Sequence, residues 1–105
     1  MIIIVTSKEA FEELLSRNAK VVVDFFATWC GPCQVISPKF EAMALEYPDI
    51  VFANVDIDRL PSVSEKAGVR AVPTFRAYLN GENIDELPGA DLAKLKHLIE
   101  ELSKA

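Results

Sequence analysis

Apolar positions along the chain switch between two spacings, and the switches mark the elements. Ile2-Ile3-Ile4-Val5 is a short apolar run that predicts a buried strand. Thr6 stands three residues ahead of Glu9, the pattern of a capping box. Phe11, Leu14 and Leu15 follow at helical spacing with Glu12, Glu13 and Arg17 opposite, which predicts a helix ending near Asn18. Val21-Val22-Val23-Asp24-Phe25-Phe26-Ala27 is a continuous apolar run broken by one acid. It does not alternate, so it predicts a central strand covered on both faces. Val35, Ile36, Phe40, Met43, Ala44 and Tyr47 return to helical spacing and predict a helix from Pro32 to Tyr47. Pro38 falls inside it and should kink the helix rather than end it, because the periodicity runs on past it.

The second half repeats the alternation and then breaks it. Ile50 to Val55 predicts a strand, followed by the acids Asp56 and Asp58. Pro61 to Ala67 predicts a short helix closed by Gly68. Thr74 to Leu79 and Glu82 to Leu87 flank Asn80-Gly81, a strong two-residue hairpin signal. Asp91 can cap a last helix that carries Leu92, Leu95, Leu98, Ile99 and Leu102. The order β-α-β-α-β-α-β-β-α predicts an α/β fold. Its sheet is central, five-stranded and mixed, flanked by four helices, with the hairpin as an antiparallel edge.

Composition narrows the function classes. The 105 residues are 50% hydrophobic and 26% charged, which excludes global disorder. A chain of this size buries roughly 65% of its unfolded surface on folding. One domain, residues 1–105, is expected, and a monomer. The net charge of −5 with no basic block disfavours nucleic acid as a partner. The apolar N-terminal run has no basic segment before it and no small-residue cleavage site after it. No apolar run approaches the roughly 20 residues that span a bilayer. No membrane partner is expected, and the expected location is cytoplasmic.

Trp29-Cys30-Gly31-Pro32-Cys33 lies where the predicted central strand ends and the second helix begins. In open α/β sheets, sites form at the carboxyl ends of strands. A helix N-terminus carries unsatisfied N–H groups and partial positive charge, so a thiolate at Cys30 is stabilised and its pKa lowered. Cys33 follows about one turn later on the same side, where two sulfurs can close a small disulfide ring. Gly31 permits a tight approach, and Pro32 suits the first helical turn. The chemistry this suggests is thiol–disulfide exchange, in which Cys30 attacks a substrate disulfide and Cys33 then displaces the product from Cys30. A bare pair of this spacing is equally half of a zinc site. Structural zinc wants four ligands, and the single histidine, His97, lies on a distant predicted helix. Buried, inert cysteines are the other reading, and the flanking Trp-Cys-Gly-Pro argues against it.

Asp24 is the most informative residue outside the pair. A carboxylate within Val-Val-Val-Asp-Phe-Phe is desolvated, which raises its pKa. The plainer reading is a group that caps or pairs at a strand edge. Its position six residues before Cys30 favours a place below the cysteines.

Ala27-Thr28-Trp29-Cys30-Gly31-Pro32-Cys33, with Asp24 upstream and Val72-Pro73-Thr74-Phe75 downstream, resembles the thioredoxin family over essentially the whole chain. The resemblance implies the thioredoxin fold and a protein-disulfide reductase. Cys30 is then the nucleophile, Cys33 the resolving thiol, and Asp24 the proton acceptor for Cys33 through water. The Gly31-Pro32 dipeptide goes with reductants; oxidases and isomerases of the fold usually carry a His there. The resemblance also implies a cis bond before Pro73, where sequence alone favours trans. The Val72 backbone would pair with an extended substrate segment. Trp29, Gly31, Pro32, Val72, Pro73, Gly89 and Ala90 would form a flat apolar surface around Cys30. No bound cofactor is implied, the redox group being the Cys30–Cys33 disulfide. Implied partners are a thioredoxin reductase, with NADPH or ferredoxin as distant donor, and disulfide-containing targets: peroxiredoxins, sulfoxide reductases and ribonucleotide reductase. The competing reading is a thioredoxin-fold docking subunit with incidental redox activity. Gln34, Asn54 and Pro88 depart from the commoner pattern. The acids Asp56, Asp58, Glu82, Asp85 and Glu86 are expected to form a solvated face.

Overall fold

The computed structural model describes residues 1–105. The elements are β1 (Ile2–Ile4), α1 (Lys8–Arg17), β2 (Lys20–Phe26), α2 (Gly31–Glu46), β3 (Val51–Asp56), α3 (Pro61–Ala67), β4 (Thr74–Leu79), β5 (Glu82–Pro88) and α4 (Leu92–Lys104). They form one five-stranded sheet in the order β1-β3-β2-β4-β5. β1, β3 and β2 run parallel, and β4 and β5 join antiparallel. The expected order and mixed sheet are therefore present, with boundaries shifted by about a residue. No helix is long and apolar enough to cross a membrane.

β2 takes the centre because it can be buried on both faces. Alternate side chains of this strand enter two separate cores. Val22 faces Ile36, Phe40, Phe52, Phe75, Leu95 and Ile99, under α2 and α4. Val21, Val23 and Phe25 face Ala53, Val55, Val63 and Tyr78, under α1 and α3. The continuous apolar run is thus the signature of a strand with no solvated side. Asp24 shares the α2 face with Val22, because residues two apart on a strand point the same way.

Two expectations need correction. β1 is not buried: Ile3 and Ile4 are exposed, and only Val5 beyond it is enclosed. It pairs with β3 alone and stands at the sheet edge, so position overrides the apolar run. The α1 cap is Ser7 rather than Thr6, since the Ala10 N–H donates to Ser7 Oγ at 3.0 Å. Helix α2 continues through Pro38 as expected, and Asp91 caps α4 by accepting from the Lys94 N–H at 3.1 Å. Asn80 (φ 52°) and Gly81 (φ 83°) both occupy the left-handed region that a tight hairpin requires.

Glu86 is exposed on β5, as expected of the solvated face, and it also pairs with a neighbouring strand. Its carboxylate accepts from Arg76 Nε at 2.6 Å, while another guanidinium nitrogen donates to the Ala67 carbonyl. The guanidinium also lies over the Phe25 ring, 5.9 Å from its centroid. One arginine thereby ties β5, β4 and the end of α3 together beneath the α1–α3 face.

Leu95, fully enclosed between α4 and the sheet, and Leu45, 80% exposed on α2, make a matched pair of leucines. Leu95→Ala is expected to lower unfolding free energy by about 2–5 kcal/mol. Leu45→Ala is expected to change it by less than about 0.5 kcal/mol. Urea denaturation of both variants measures the difference, and equal effects would overturn the core assignment.

Candidate active site

The carboxyl end of β2 delivers the chain directly into α2, and Cys30 is the residue at the join. Its N–H donates to the Ala27 carbonyl at 3.2 Å, closing the turn that leaves the strand. Its own backbone is extended, as an N-cap requires, and its Sγ accepts from the Cys33 N–H at 3.1 Å. A sulfur thus occupies the place that a serine or aspartate oxygen fills at other helix starts. Cys30 and Cys33 are joined as a disulfide, with Cα atoms 5.3 Å apart. Both residues are almost wholly enclosed, packed with Ala27 against Phe26, Ile57 and Val72. Space within the chain does not force a glycine at position 31. A Cβ there would touch nothing within 4 Å, and Gly31 is not among the glycines of positive φ.

Asp24 lies on β2, the strand that leads into the junction, on its α2 face. It is 3% exposed, and its Oδ1 has no hydrogen-bond partner. Burial pushes the carboxyl from 3.8 up to about 7. Its neighbour across the ladder on β3 is Asn54, a neutral side chain. Asp24, Cys33 and Asn54 line one cleft of about 380 Å³, whose other walls include Phe26, Pro38, Ser37 and Glu41. The cleft gives both the resolving-position sulfur and the buried carboxyl a path to solvent. Gln34 reaches over its Thr28 side, donating from Nε2 to the Thr28 carbonyl at 2.9 Å.

The Val72–Pro73 bond is cis, as the family resemblance implied and sequence alone did not. Pro73 is buried, and Val72 packs against the cysteine cluster. The Val72 N–H and C=O make no backbone hydrogen bond within the chain. Gly89, at φ 97°, donates its N–H to the Pro73 carbonyl at 2.8 Å. That bond brings the loop carrying exposed Ala90 beside the cis-proline segment. Trp29 is 69% exposed, and its Nε1–H donates to Asp58 Oδ2 at 2.8 Å. Asp58 is in turn oriented by its own N–H, which donates to Asp56 Oδ1 at 2.9 Å.

Sequence reasoning missed the Trp29–Asp58 tether and the Gln34–Thr28 bridge. Asp58 is separated from Trp29 by 29 positions, and nothing in a single sequence pairs them. His97 is exposed on α4, away from the cysteines, and no group of three His, Cys, Asp or Glu is placed to hold a metal ion.

Comparison with known proteins gives a consistent picture. The Thioredoxin family model matches residues 2–103. Thioredoxin 1 of Plasmodium falciparum is 46% identical over 100 residues, spanning 95% of this chain and 96% of that one. Thioredoxin-1 of Schizosaccharomyces pombe is 48% identical over 92 residues, spanning 88% and 89%. A solved structure of Plasmodium falciparum thioredoxin superposes with a TM-score of 0.93 at 45% identity, covering 94% of this chain and 97% of that one. Another similar structure, at TM-score 0.91 and 34% identity over 95% and 94% of the two chains, comes from work on thiol resolution in yeast mitochondrial 1-Cys peroxiredoxin by glutathione and thioredoxin systems. With paired cysteines at the mouth of α2 and relatives of this kind along its whole length, the chain belongs to the thioredoxin family and is a protein-disulfide oxidoreductase whose redox group is its own Cys30–Cys33 disulfide.

Proposed function

We propose that the reduced protein passes two electrons to target disulfides, with Cys30 as nucleophile and Cys33 as resolving thiol. The observation that carries this assignment is the Cys33 N–H donated to Cys30 Sγ at the start of α2. That bond and the helix terminus both favour negative charge on Cys30. The Cys30 thiolate attacks one target sulfur, the target S–S bond breaks, and the leaving thiolate takes a proton from solvent. Cys33 gives its proton to Asp24 through cleft water, attacks Cys30 Sγ, and releases the second target thiolate. The Cys30–Cys33 bond re-forms, the pair having given up to the target the two electrons that reduce it. A carboxyl at about 7 is matched to this task, because a proton acceptor works best near the operating pH.

Target segments lie across Val72, whose free N–H and C=O support strand-like pairing, and against Trp29, Gly31, Pro32, Gly89 and Ala90, with the buried ring of Pro73 behind Val72 rather than on the surface. This surface has little side-chain selectivity, which suits many unrelated targets. Peroxiredoxins, sulfoxide reductases and ribonucleotide reductase are the proposed targets, and a thioredoxin reductase the proposed electron source. The yeast peroxiredoxin work named above supports the first of these by analogy. The protein is proposed to act as a monomer in the cytoplasm, with residues 1–105 working as one unit.

Insulin reduction by dithiothreitol, followed by turbidity, tests the assignment. Cys30→Ser is expected to fall to the rate of dithiothreitol alone. Cys33→Ser is expected to accumulate a mixed disulfide with its target. A double Cys→Ser variant that kept full cellular function would favour the docking reading instead.

Asp24 yields a second prediction with a definite sign. Below pH 3.8 both folded and unfolded states hold its proton. Between 3.8 and about 7 only the folded state does, so stability falls as pH rises. Above about 7 the loss levels off at roughly 4 kcal/mol, at 1.36 kcal/mol per unit. Asp24→Asn of the oxidised protein should therefore gain stability over the parent from pH 4 to pH 7 and hold that gain at pH 8. The same variant should slow mixed-disulfide resolution roughly 100-fold or more, the scale of a lost proton acceptor. A pH-independent stability difference, or unchanged resolution, would remove Asp24 from the role.

A further inference from the structure

The cleft beside Cys33 holds an unusual combination. At its floor is a carboxyl that is 3% exposed and has an oxygen without any hydrogen-bond partner. At its rim is a second carboxylate, the exposed Glu41 of α2. Ser37 and Asn54 add neutral oxygens, while Phe26 and Pro38 supply apolar wall. No lysine or arginine lines the cleft. Buried polar groups are almost always paired, so an orphan acceptor beside an open volume marks a place for a donor.

We infer that this cleft is a binding site for a primary alkylammonium group, which donates to the Asp24 carboxylate while its methylene stem lies on Phe26 and Pro38. The chemistry of the lining selects the ligand. Its acceptors are Asp24, Ser37, Asn54 and Glu41, and an ammonium offers three donors and no acceptor. Anions are repelled by the two carboxylates. A divalent metal is poorly served, since no group of three His, Cys, Asp or Glu converges here. The volume of about 380 Å³ lies at the small end of ligand pockets, which fits a short amine rather than a drug-sized molecule.

Binding requires the charged form of Asp24, so it is linked to pH. The groups facing Asp24 are few. On α2 they are Glu41 and Cys33, the latter held in the disulfide; on β3 the neutral Asn54, with Asp56 at the strand end; on β4 the apolar Phe75. Arg76 is engaged with Glu86 and Phe25 on the other side of the sheet. Because burial holds the Asp24 carboxyl at about 7, affinity should drop about tenfold per pH unit below 7 and level off above it. An occupied site also keeps Asp24 from taking the Cys33 proton; this consequence alone rests on the proton-acceptor role proposed above.

The test is a titration of the oxidised, ¹⁵N-labelled protein with n-butylammonium chloride. Saturable amide shifts are expected at Asp24, Gln34 to Ser37 and Asn54, with a midpoint on the order of 1–10 mM at pH 8, the range open to so small a ligand. Asp24→Asn should weaken binding at least about tenfold, the loss of a full charge partner. Ser37→Leu, which fills the cleft and leaves Asp24 in place, should abolish it. Absence of saturation, equal shifts with n-pentanol or sodium chloride, or undiminished binding in both variants would overturn the site. Nα-acetyl-lysine amide separates the two sources of the group. Shifts at the same residues assign the site to lysine side chains of partner proteins, whereas binding of n-butylammonium alone assigns it to free amines. Should n-butylammonium saturate the site and yet leave mixed-disulfide resolution unslowed, the proton role of Asp24 falls and the site stands. Should nothing bind while Asp24→Asn slows resolution, the site falls and the proton role stands.

Discussion

Cys30 caps α2 at the carboxyl end of the most deeply buried strand, and the chemistry of the molecule depends on that junction. A helix start needs an acceptor for its free N–H groups, and here the acceptor is a sulfur. The same geometry that satisfies the helix therefore stabilises the thiolate. Cys33 is carried into bonding range by the first helical turn, with no flexible segment between the two. Structural need and redox function are met by one set of atoms.

The rigidity of the junction comes from what lies beneath it. β2 is covered on both faces, so its end cannot shift without disturbing two cores. On the α2 face, the strand carries Asp24 among apolar neighbours, an arrangement that costs stability once the carboxyl ionises. Proteins keep such groups where the perturbed proton affinity is used. The orphaned oxygen and the open cleft make this carboxyl the one polar group of the core still able to take a partner from outside.

Around the disulfide, the surrounding segments are fastened by single hydrogen bonds. Asp58 holds the Trp29 indole, Thr28 receives Gln34, and Pro73 receives Gly89. Each bond fixes one wall of the site: the exposed aromatic plate, the rim of the Asp24 cleft, and the ledge beside the free Val72 backbone. Loops carry the contacts, and the sheet and helices hold their ends in place.

Much of this was legible in the chain itself. The unbroken run from Val21 to Ala27 identified the central strand, since only a strand covered twice can be apolar at every position but one. The cysteine spacing, the proline after Gly31 and the acid at position 24 identified the redox group and its buried neighbour, because helix starts and desolvated carboxyls obey local rules. The same local rules misjudged β1. An apolar run does not say whether a strand lies at an edge. Pairings between distant segments were decided by tertiary structure alone. The Asp58 tether to Trp29, the Arg76–Glu86 tie, the cis geometry before Pro73 and the cleft joining Asp24 to Cys33 arise only when strands are set in register. No periodicity records which residues a sheet will bring side by side.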